Sequence, residues 1–226
     1  MRYERMETGR FIERPNRFIA YVEIDGKKEI AHVKNTGRCR EILVEGAKVY
    51  LEKSDNASRK YIYSLVAVYK GDMLINIDSS APNRAVGEWL QNGGLFDNAT
   101  LIKPEKTYGK SRFDFYAEHR ERKTFIEVKG VTLERDGVVL FPDAPTERGS
   151  KHLLHLCECV KDGYEAYIIF VIQMKDVTHF EPNCKTDKAF SDNLKKAYEC
   201  GVKVIAYDCE ITEKTMEIRN EVKVKI

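Results

Sequence analysis

One segment of the chain is apolar on both faces, and few architectures can accommodate such a strand. The segment is EAYIIFVIQM, residues 165–174. A strand of this kind fits the centre of a sheet that is covered by helices on both sides. Helical segments are predicted before it, from a cap at Thr146, and after it, at 187–200, and the strand VKVIAYD follows. Helices interleaved with strands predict an α/β sandwich.

A further helix and a run of strands are predicted before this segment. The helix, RAVGEWLQN, is capped by Asn83 and carries Trp89 toward the core. Strands are predicted at 112–118, 123–131 and 138–141, and two prolines end the run. These elements belong to the same predicted α/β region.

The first third of the chain has a different pattern. The stretch RFIAYVEIDGKKEIAHVKN predicts two strands joined at Asp25-Gly26, because this dipeptide accepts the positive φ angles of a tight turn. More β-branched and aromatic segments follow before residue 80. About five short strands favour a small closed barrel such as an OB-fold, because closure removes exposed edges. We therefore predict two domains, an all-β OB-fold-like barrel at 1–80 and an α/β domain at 81–226.

Composition and charge restrict the class of protein. No apolar run approaches the roughly 20 residues that cross a bilayer, and the start of the chain lacks the apolar stretch of a signal peptide. We therefore expect a cytoplasmic protein, not a membrane protein, with six reduced cysteines; none lies in a CxxC pair. The net charge is only +2, although residues 1–80 carry a balance of +3. The sequence does not indicate an oligomeric state.

A predicted hairpin at 112–130, RFDFYAEHRERKTFIEVKG, brings charged residues together. If its turn lies at Arg120-Glu121, paired residue numbers sum to 241, and Asp114 faces Glu127 with Cβ atoms about 5 Å apart. Lys129 then lies on the same face. Phe113, Phe115, Ile126 and Val128 are predicted to point the other way. Loops of other lengths remain possible.

Paired carboxylates require compensation. At about 4 Å two such charges repel by roughly 4 kcal/mol at an effective dielectric of about 20. Mg²⁺ or Mn²⁺ bound by Asp114, Glu127 and the carbonyl of Val128 would provide it, with Lys129 activating water for phosphodiester hydrolysis. The alternative is a solvated hairpin face on which Lys129 and Arg112 neutralise the acids. The Asp and Glu-x-Lys pattern is short, and by itself it favours this alternative. The order of the flanking helices favours a nuclease core.

Five blocks of sequence resemble a known family. They are HVKNTGRCRE (32–41), NIDSSAPN (76–83), YGKSRFDFY (108–116), FIEVKGVTL (125–133) and FPDAPTERGSKHL (141–153). They closely resemble the sugar fermentation stimulation protein family over nearly the whole chain. The resemblance implies an OB-fold-like first domain, a second domain related to PD-(D/E)xK nucleases, sequence-nonspecific DNA binding, and regulation of sugar utilisation, notably of maltose.

The resemblance also implies functional residues. The nuclease signature falls on Asp114, Glu127 and Lys129, and Glu88 matches the helical acid that many of these nucleases carry. Phe113 stands where the signature has proline. Two hypotheses follow. The chain is either a DNA-binding, regulatory protein that keeps the nuclease fold as a platform, or a metal-dependent nuclease in which the acids are required.

Several basic residues are candidate DNA contacts, although solvated surface charge is the default interpretation. In the predicted barrel, loops carry them, and Tyr61 or Tyr63 are candidates for base stacking. At the start of the helix after Thr146, free backbone N–H groups favour phosphate. The candidates are Arg14, Arg17, Lys34, Arg38, Arg40, Arg112, Arg148 and Lys151.

Three residues of the same helix form a weaker candidate site. His152, His155 and Cys159 are spaced to lie near one another and are possible zinc ligands. Histidines on the helix surface with an incidental cysteine are the favoured interpretation.

Overall fold

The first six strands form one sheet that closes on itself. The computed structural model describes residues 1–35, 37–56 and 58–226. The strands are β1 (Met6–Asn16), β2 (Ile19–Ile24), β3 (Lys27–Val33), β4 (Lys48–Lys53), β5 (Tyr63–Lys70) and β6 (Met73–Asn76). Their order is β3-β2-β1-β4-β5-β6, and a parallel pairing of β3 with β5 closes the first five into a barrel. The predicted OB-fold-like barrel is confirmed.

The turn between β2 and β3 is the one that the sequence predicts. Asp25 and Gly26 have φ angles of 50° and 73°, in the left-handed region that this dipeptide tolerates. The strands pair from Ile24↔Lys27 onward. Side chains of β2 and β3 that face the barrel, among them Val22 and Ala31, are buried.

The rest of the chain forms an α/β region. Its elements are α1 (Ala81–Gln91), β7 (Ala99–Tyr108), β8 (Ser111–His119), β9 (Arg122–Val131), β10 (Leu133–Arg135), β11 (Val138–Phe141), α2 (Glu147–Lys161), β12 (Glu165–Ile172), β13 (His179–Pro182), α3 (Lys188–Glu199), β14 (Lys203–Ile211) and β15 (Met216–Val222). Six strands form a mixed sheet in the order β15-β14-β12-β9-β8-β7. A small sheet contains β10, β11 and β13.

Strand β12 explains the segment that is apolar on both faces. It lies between β9 and β14, parallel to both. Ile168 and Phe170 belong to the hydrophobic core that includes α2 and α3. Ile169 and Val171 belong to the core on the side of α1. The predicted central strand and the helix layers on both sides are therefore confirmed.

Helix starts follow the sequence in two cases out of three. Thr146 accepts a hydrogen bond from the backbone N–H of Gly149, and Asp187 caps α3 through the N–H of Phe190. The prediction that Asn83 caps α1 is wrong, because the helix begins earlier, after Ser80. Asn83 thus lies in the first turn of α1, with its side chain free for another contact.

No helix in the described part of the chain is both long enough and apolar enough for a membrane crossing.

A buried glutamine joins the barrel to the second sheet. Gln173, 1% exposed, follows β12, and its Nε2 donates to the carbonyl O and Oδ1 of Asn76, both at 3.0 Å, and to the carbonyl O of Asp78 at 3.2 Å. The backbone N–H of Asn76 donates back to the carbonyl of Gln173 at 2.9 Å. This junction lies just before residue 80, where the predicted domain boundary stays a prediction.

We predict that Gln173→Leu destabilises the protein by about 1–3 kcal/mol, because buried acceptors at Asn76 and Asp78 lose their donor. Chemical unfolding of the variant measures the change. Gln91→Leu, on the exposed end of α1, is the matched control and should change stability little. Equal effects of the two substitutions would contradict this account of the junction.

Candidate functional site

The hairpin of β8 and β9 has the register that the sequence predicts. Its turn residues Arg120 and Glu121 have φ angles of 45° and 62°. Pairs run from His119↔Arg122 to Phe115↔Ile126, so paired numbers sum to 241 over this stretch. Asp114 and Glu127 are the next residues beyond the last of these pairs.

Strand β8 changes its alternation at Asp114. The Phe113 ring packs against the ring of His152 in α2, with centroids 5.8 Å apart. Phe115 instead lies beside Gly87 of α1, on the other side of the sheet. The prediction that both rings point the same way is therefore wrong. Opposite this break, between two regular pairs of β7 with β8, Glu105 has a φ angle of 54°.

Asp114 is held by two elements. Its Oδ2 accepts a hydrogen bond from the backbone N–H of Val128 at 2.7 Å, and its Oδ1 accepts one from Nδ2 of Asn83 at 2.8 Å. Burial and the negative charge of Glu127 raise the pKa of Asp114 despite these hydrogen bonds. The two carboxylates are therefore close enough to disfavour each other's charge.

Glu127 is bonded at one oxygen only. Oε1 accepts from Nζ of Lys129 at 2.6 Å and from Nδ1 of His152 at 2.5 Å. Oε2 is buried and has no hydrogen-bond partner among the described residues. Burial acts to raise the pKa of Glu127, but the hydrogen bond from His152 and the charge of Lys129 outweigh it, and the pKa is lowered. An ionised carboxylate with one unpartnered oxygen results.

His152 is a site residue that the sequence interpretation missed. It is 7% exposed, so its assignment to the helix surface is wrong. Its Nε2 lies 3.5 Å from Nε of Arg148, one turn earlier in α2. The available signal was its position four residues before Leu156, on the buried stripe of the helix.

The zinc alternative is not assembled. Nδ1 of His155 contacts the hydroxyl of Ser111 at 2.5 Å, while His152 contacts Glu127. Cys159 is fully buried in the core, where burial raises the pKa of its thiol to about 12. The three side chains therefore serve separate contacts.

Glu88 does not join the acid pair. Its Oε2 lies 2.7 Å from the N-terminal ammonium of Met1, which also donates to the carbonyl of Met216 in β15. Strand β15 is the far edge of the sheet from β8. The structure thus corrects the prediction that Glu88 supplies a helical acid to the site. Trp89, on the same helix, packs on Tyr207 with centroids 4.8 Å apart, as predicted.

Few side chains that could bind a metal ion lie together in the described residues. Within residues 1–35, 37–56 and 58–226, no group of three or more His, Cys, Asp or Glu side chains is arranged to hold a metal ion. Mg²⁺ and Mn²⁺ sites often use only one or two carboxylates and keep several waters. The unpartnered Oε2 of Glu127 beside Asp114 fits such an ion, and the roles of both acids and of Val128 as ligands stay predictions.

Two of the predicted DNA contacts have internal roles instead. The guanidinium of Arg14 donates to the backbone carbonyls of Arg17, Asn35, Gly37 and Arg38. Nζ of Lys34 forms a 2.9 Å ion pair with Asp78, which is fully buried. Both side chains are thus engaged within the protein, and their contacts with DNA stay predictions.

The other basic candidates lie at the surface. Arg17, Arg38, Arg40, Arg148 and Lys151 are exposed, and Arg112 is 3.5 Å from Glu105 in an exposed pair. Thr36, which belongs to the predicted loop of Arg38 and Arg40, lies outside the described residues.

The aromatic candidates of the barrel do not offer an exposed ring. Tyr63 is 7% exposed, so the expectation that it stacks a base is wrong. Tyr61 is half-buried.

Comparisons with known proteins cover the whole chain. A family model described as "Sugar fermentation stimulation protein RE domain" matches residues 80–215, and one described as "SfsA N-terminal OB domain" matches residues 12–77. A sugar fermentation stimulation protein homolog of Clostridium beijerinckii is 58% identical over 224 residues, 99% of each chain. A homolog of Ruminiclostridium cellulolyticum is 56% identical over 226 residues, 100% of each chain.

The fold is also found in a solved structure. It is the structure of Pyrococcus furiosus SfsA in complex with Ca²⁺, which is 29% identical to this chain. The TM-score is 0.90, and the match covers 100% of this chain and 98% of that one.

We predict that Asp114→Asn stabilises the metal-free protein at neutral pH. A raised pKa means that the stability contributed by the protonated carboxyl is present at low pH and is lost as pH rises through the folded-state pKa. Asparagine mimics the protonated form, and Asn83 can reverse its amide to keep the hydrogen bond. Thermal unfolding with a chelator should show a rise of about 2–4 °C at pH 7, on the order of 1 kcal/mol, that shrinks toward pH 4.

Asp97→Asn is the matched control, since Asp97 is exposed and forms, among the described residues, a surface ion pair with Arg120 at 3.5 Å. A lower unfolding temperature for Asp114→Asn than for this control at pH 7 would rule out the repulsion between the two acids.

Proposed function

The chain belongs to the sugar fermentation stimulation protein family, and we propose that it binds DNA without sequence preference and holds a divalent cation at Asp114 and Glu127. The observation that carries the cation is the buried Oε2 of Glu127, which has no partner among the described residues. With Mg²⁺ or Mn²⁺ bound, this oxygen would be a ligand of the cation, and the positive charge would offset the repulsion that raises the pKa of Asp114. That the Pyrococcus furiosus protein was solved in complex with Ca²⁺ supports such a site.

The residues around the acids have distinct roles in this proposal. Lys129 and His152 hold Oε1 of Glu127 and leave Oε2 without a partner, so that Oε2 could ligate a cation. Asn83 and the N–H of Val128 orient Asp114, and the carbonyl of Val128 is a further candidate ligand. When bound, the cation supplies Lewis acidity toward a phosphate oxygen or a water. The ammonium of Lys129 can then stabilise charge that develops on the phosphate.

Exposed cations support DNA as the partner. Arg17, Arg38 and Arg40 on the barrel carry no ion pair with a described residue, and Arg148 and Lys151 are exposed at the start of α2. Backbone N–H groups at that helix start add to their attraction for phosphate. We further propose that this binding serves the regulation of sugar utilisation, notably of maltose, in the cytoplasm.

A second candidate function is DNA cleavage. It is favoured by the complete set of two acids and a lysine, in which Lys129 contacts Glu127 directly. A protein that only binds DNA has no need of this arrangement, because buried carboxylates repel phosphate.

We predict weak, salt-dependent DNA binding. Each phosphate contact releases counterions and adds about 0.9 to the slope of log affinity against log salt for a duplex. The double variant Arg38→Ala, Arg40→Ala should reduce that slope by roughly 2, as measured by fluorescence anisotropy between about 50 and 200 mM salt. Arg219→Ala, which removes an exposed arginine paired with Glu217, is the control. A flat salt dependence for the wild-type protein would refute backbone binding.

We predict that Mn²⁺ raises the unfolding temperature of the wild-type protein and leaves that of Glu127→Gln and Asp114→Asn unchanged. The physical reason is that binding to the folded state alone stabilises it.

The same proteins are then incubated with single-stranded, duplex and branched DNA in Mg²⁺ or Mn²⁺. Cuts that the wild type makes and Asp114→Asn does not would establish a catalytic site.

Intact DNA with binding retained would instead favour the regulatory platform. Equal Mn²⁺ stabilisation of all three proteins would show that the ion binds elsewhere, and Asp97→Asn serves as the control for a lost surface charge.

A further inference from the structure

One aromatic ring projects from the barrel surface. Phe18, in the turn between β1 and β2, is 50% exposed, whereas the other exposed large apolar side chains described on the barrel are aliphatic. These are Ile30, Val44 and Ile62. Phe18 is therefore the aromatic face that the described barrel presents to a ligand.

The backbone that carries this ring is fixed. Oδ1 of Asn16 accepts hydrogen bonds from the N–H of Phe18 at 2.9 Å and from that of Ile19 at 3.2 Å. The carbonyl of Phe18 accepts from the N–H of Val33 at 2.7 Å. The ring is thus held on a preorganised turn, so ordering it on binding costs little conformational entropy.

Arg14 ties this turn to a neighbouring loop. One of its terminal nitrogens donates to the carbonyl of Arg17 at 2.8 Å and to that of Asn35 at 2.6 Å. The other donates to Gly37 at 2.8 Å and to Arg38 at 3.0 Å. The backbone at Gly37 and Arg38 is therefore bonded through Arg14 to the turn that carries Phe18.

One cation lies over the ring, and two more line a groove next to it. The guanidinium of Arg17 lies 4.8 Å from the centroid of Phe18. Arg17, Arg38 and Arg40 line an adjoining groove of about 450 Å³, which also contains two carboxylates, Glu13 and Glu45. Glu13 lies 3.5 Å from Lys28, so part of the negative charge is neutralised locally.

We propose that Phe18 stacks an unpaired base of single-stranded nucleic acid whose phosphates lie along Arg17, Arg38 and Arg40. A flat apolar ring beside a groove lined by arginines matches a nucleotide, in which a base face adjoins a charged phosphate. A duplex cannot offer that base face, because its bases are stacked on one another. This inference rests on the proposed function and specifies its substrate as single-stranded.

The surface of Phe18 and its neighbouring arginines is connected to the acid pair. Gly37 lies against Asp143, since a Cβ at Gly37 would collide with its Oδ2. Asn35, Asp143 and Gly130 line one small cavity of about 100 Å³ between the barrel and the second sheet. Gly130 directly follows Lys129 in β9. A single-stranded nucleic acid that runs from Phe18 past Gly37 would therefore approach β9, the β-strand that carries Glu127 and Lys129.

The test compares a short labelled oligothymidine with a duplex of equal length, by fluorescence anisotropy with full-length protein. Phe18→Ala should weaken single-strand affinity by about 5- to 150-fold, the range for loss of one base stack, and leave duplex affinity unchanged. Phe18→Tyr keeps a ring and should retain affinity, whereas Phe18→Leu keeps apolar volume and should lose it. Val44→Ala removes an equally exposed apolar side chain and is the control.

The outcomes separate this inference from the proposed function. Binding of both DNAs with no effect of Phe18→Ala, or an equal loss on both, would overturn the stacking role and leave DNA binding in place. Absence of binding to either DNA by the wild type would refute the proposed function itself. A parallel measurement with oligouridine distinguishes RNA from DNA as the ligand. Tighter binding of oligouridine than of oligothymidine that still depends on Phe18 would support the stacking role with RNA as the ligand.

Discussion

The repulsion of one half-buried carboxylate by a buried one is the constraint on which the surrounding structure depends. Glu127 is buried and Asp114 is half-buried, and the charge of Glu127 disfavours that of Asp114. The compensating donors come from elements that are distant in sequence. Asn83 is supplied by α1 and His152 by α2, on opposite faces of the sheet, while Lys129 comes from β9 itself. The site therefore exists only when the complete sandwich has formed, and its geometry depends on the packing of both helix layers.

Features with a local cause could be predicted from the sequence. The register of β8 with β9 follows from a turn at Arg120-Glu121, and the structure has that register from Phe115 to His119. The position of β12 follows from a run that is apolar on both faces. Strand β7 was not predicted because it lies at a sheet edge, is largely exposed, and contains Pro104, which weakens any strand pattern.

Features that depend on distant neighbours could not be read from the sequence. The change of face at Asp114 occurs opposite the unusual backbone of Glu105, which no periodicity indicates. Arg14 has the same sequence signal as Arg38, a basic residue in a barrel loop. Only the structure shows that the terminal nitrogens of Arg14 donate to four backbone carbonyls while Arg38 is exposed. Charged residues can be counted from a sequence. Which of their donors form hydrogen bonds within the protein depends on loops that meet only after folding.

The junction between the barrel and the sheet bears on how the acids and the basic groove act together. Gln173 bonds to Asn76 and to the carbonyl of Asp78, and the Asp78 carboxylate binds Lys34, so buried polar contacts fix one unit on the other. With such a junction the distance from the groove to Glu127 is set by the fold rather than by a flexible linker. A nucleic acid bound in the groove would then meet a negative site at a fixed place along its backbone. Under the proposed function, that arrangement would oppose binding unless a cation covered the acids, so the proposed metal and the nucleic acid would bind cooperatively.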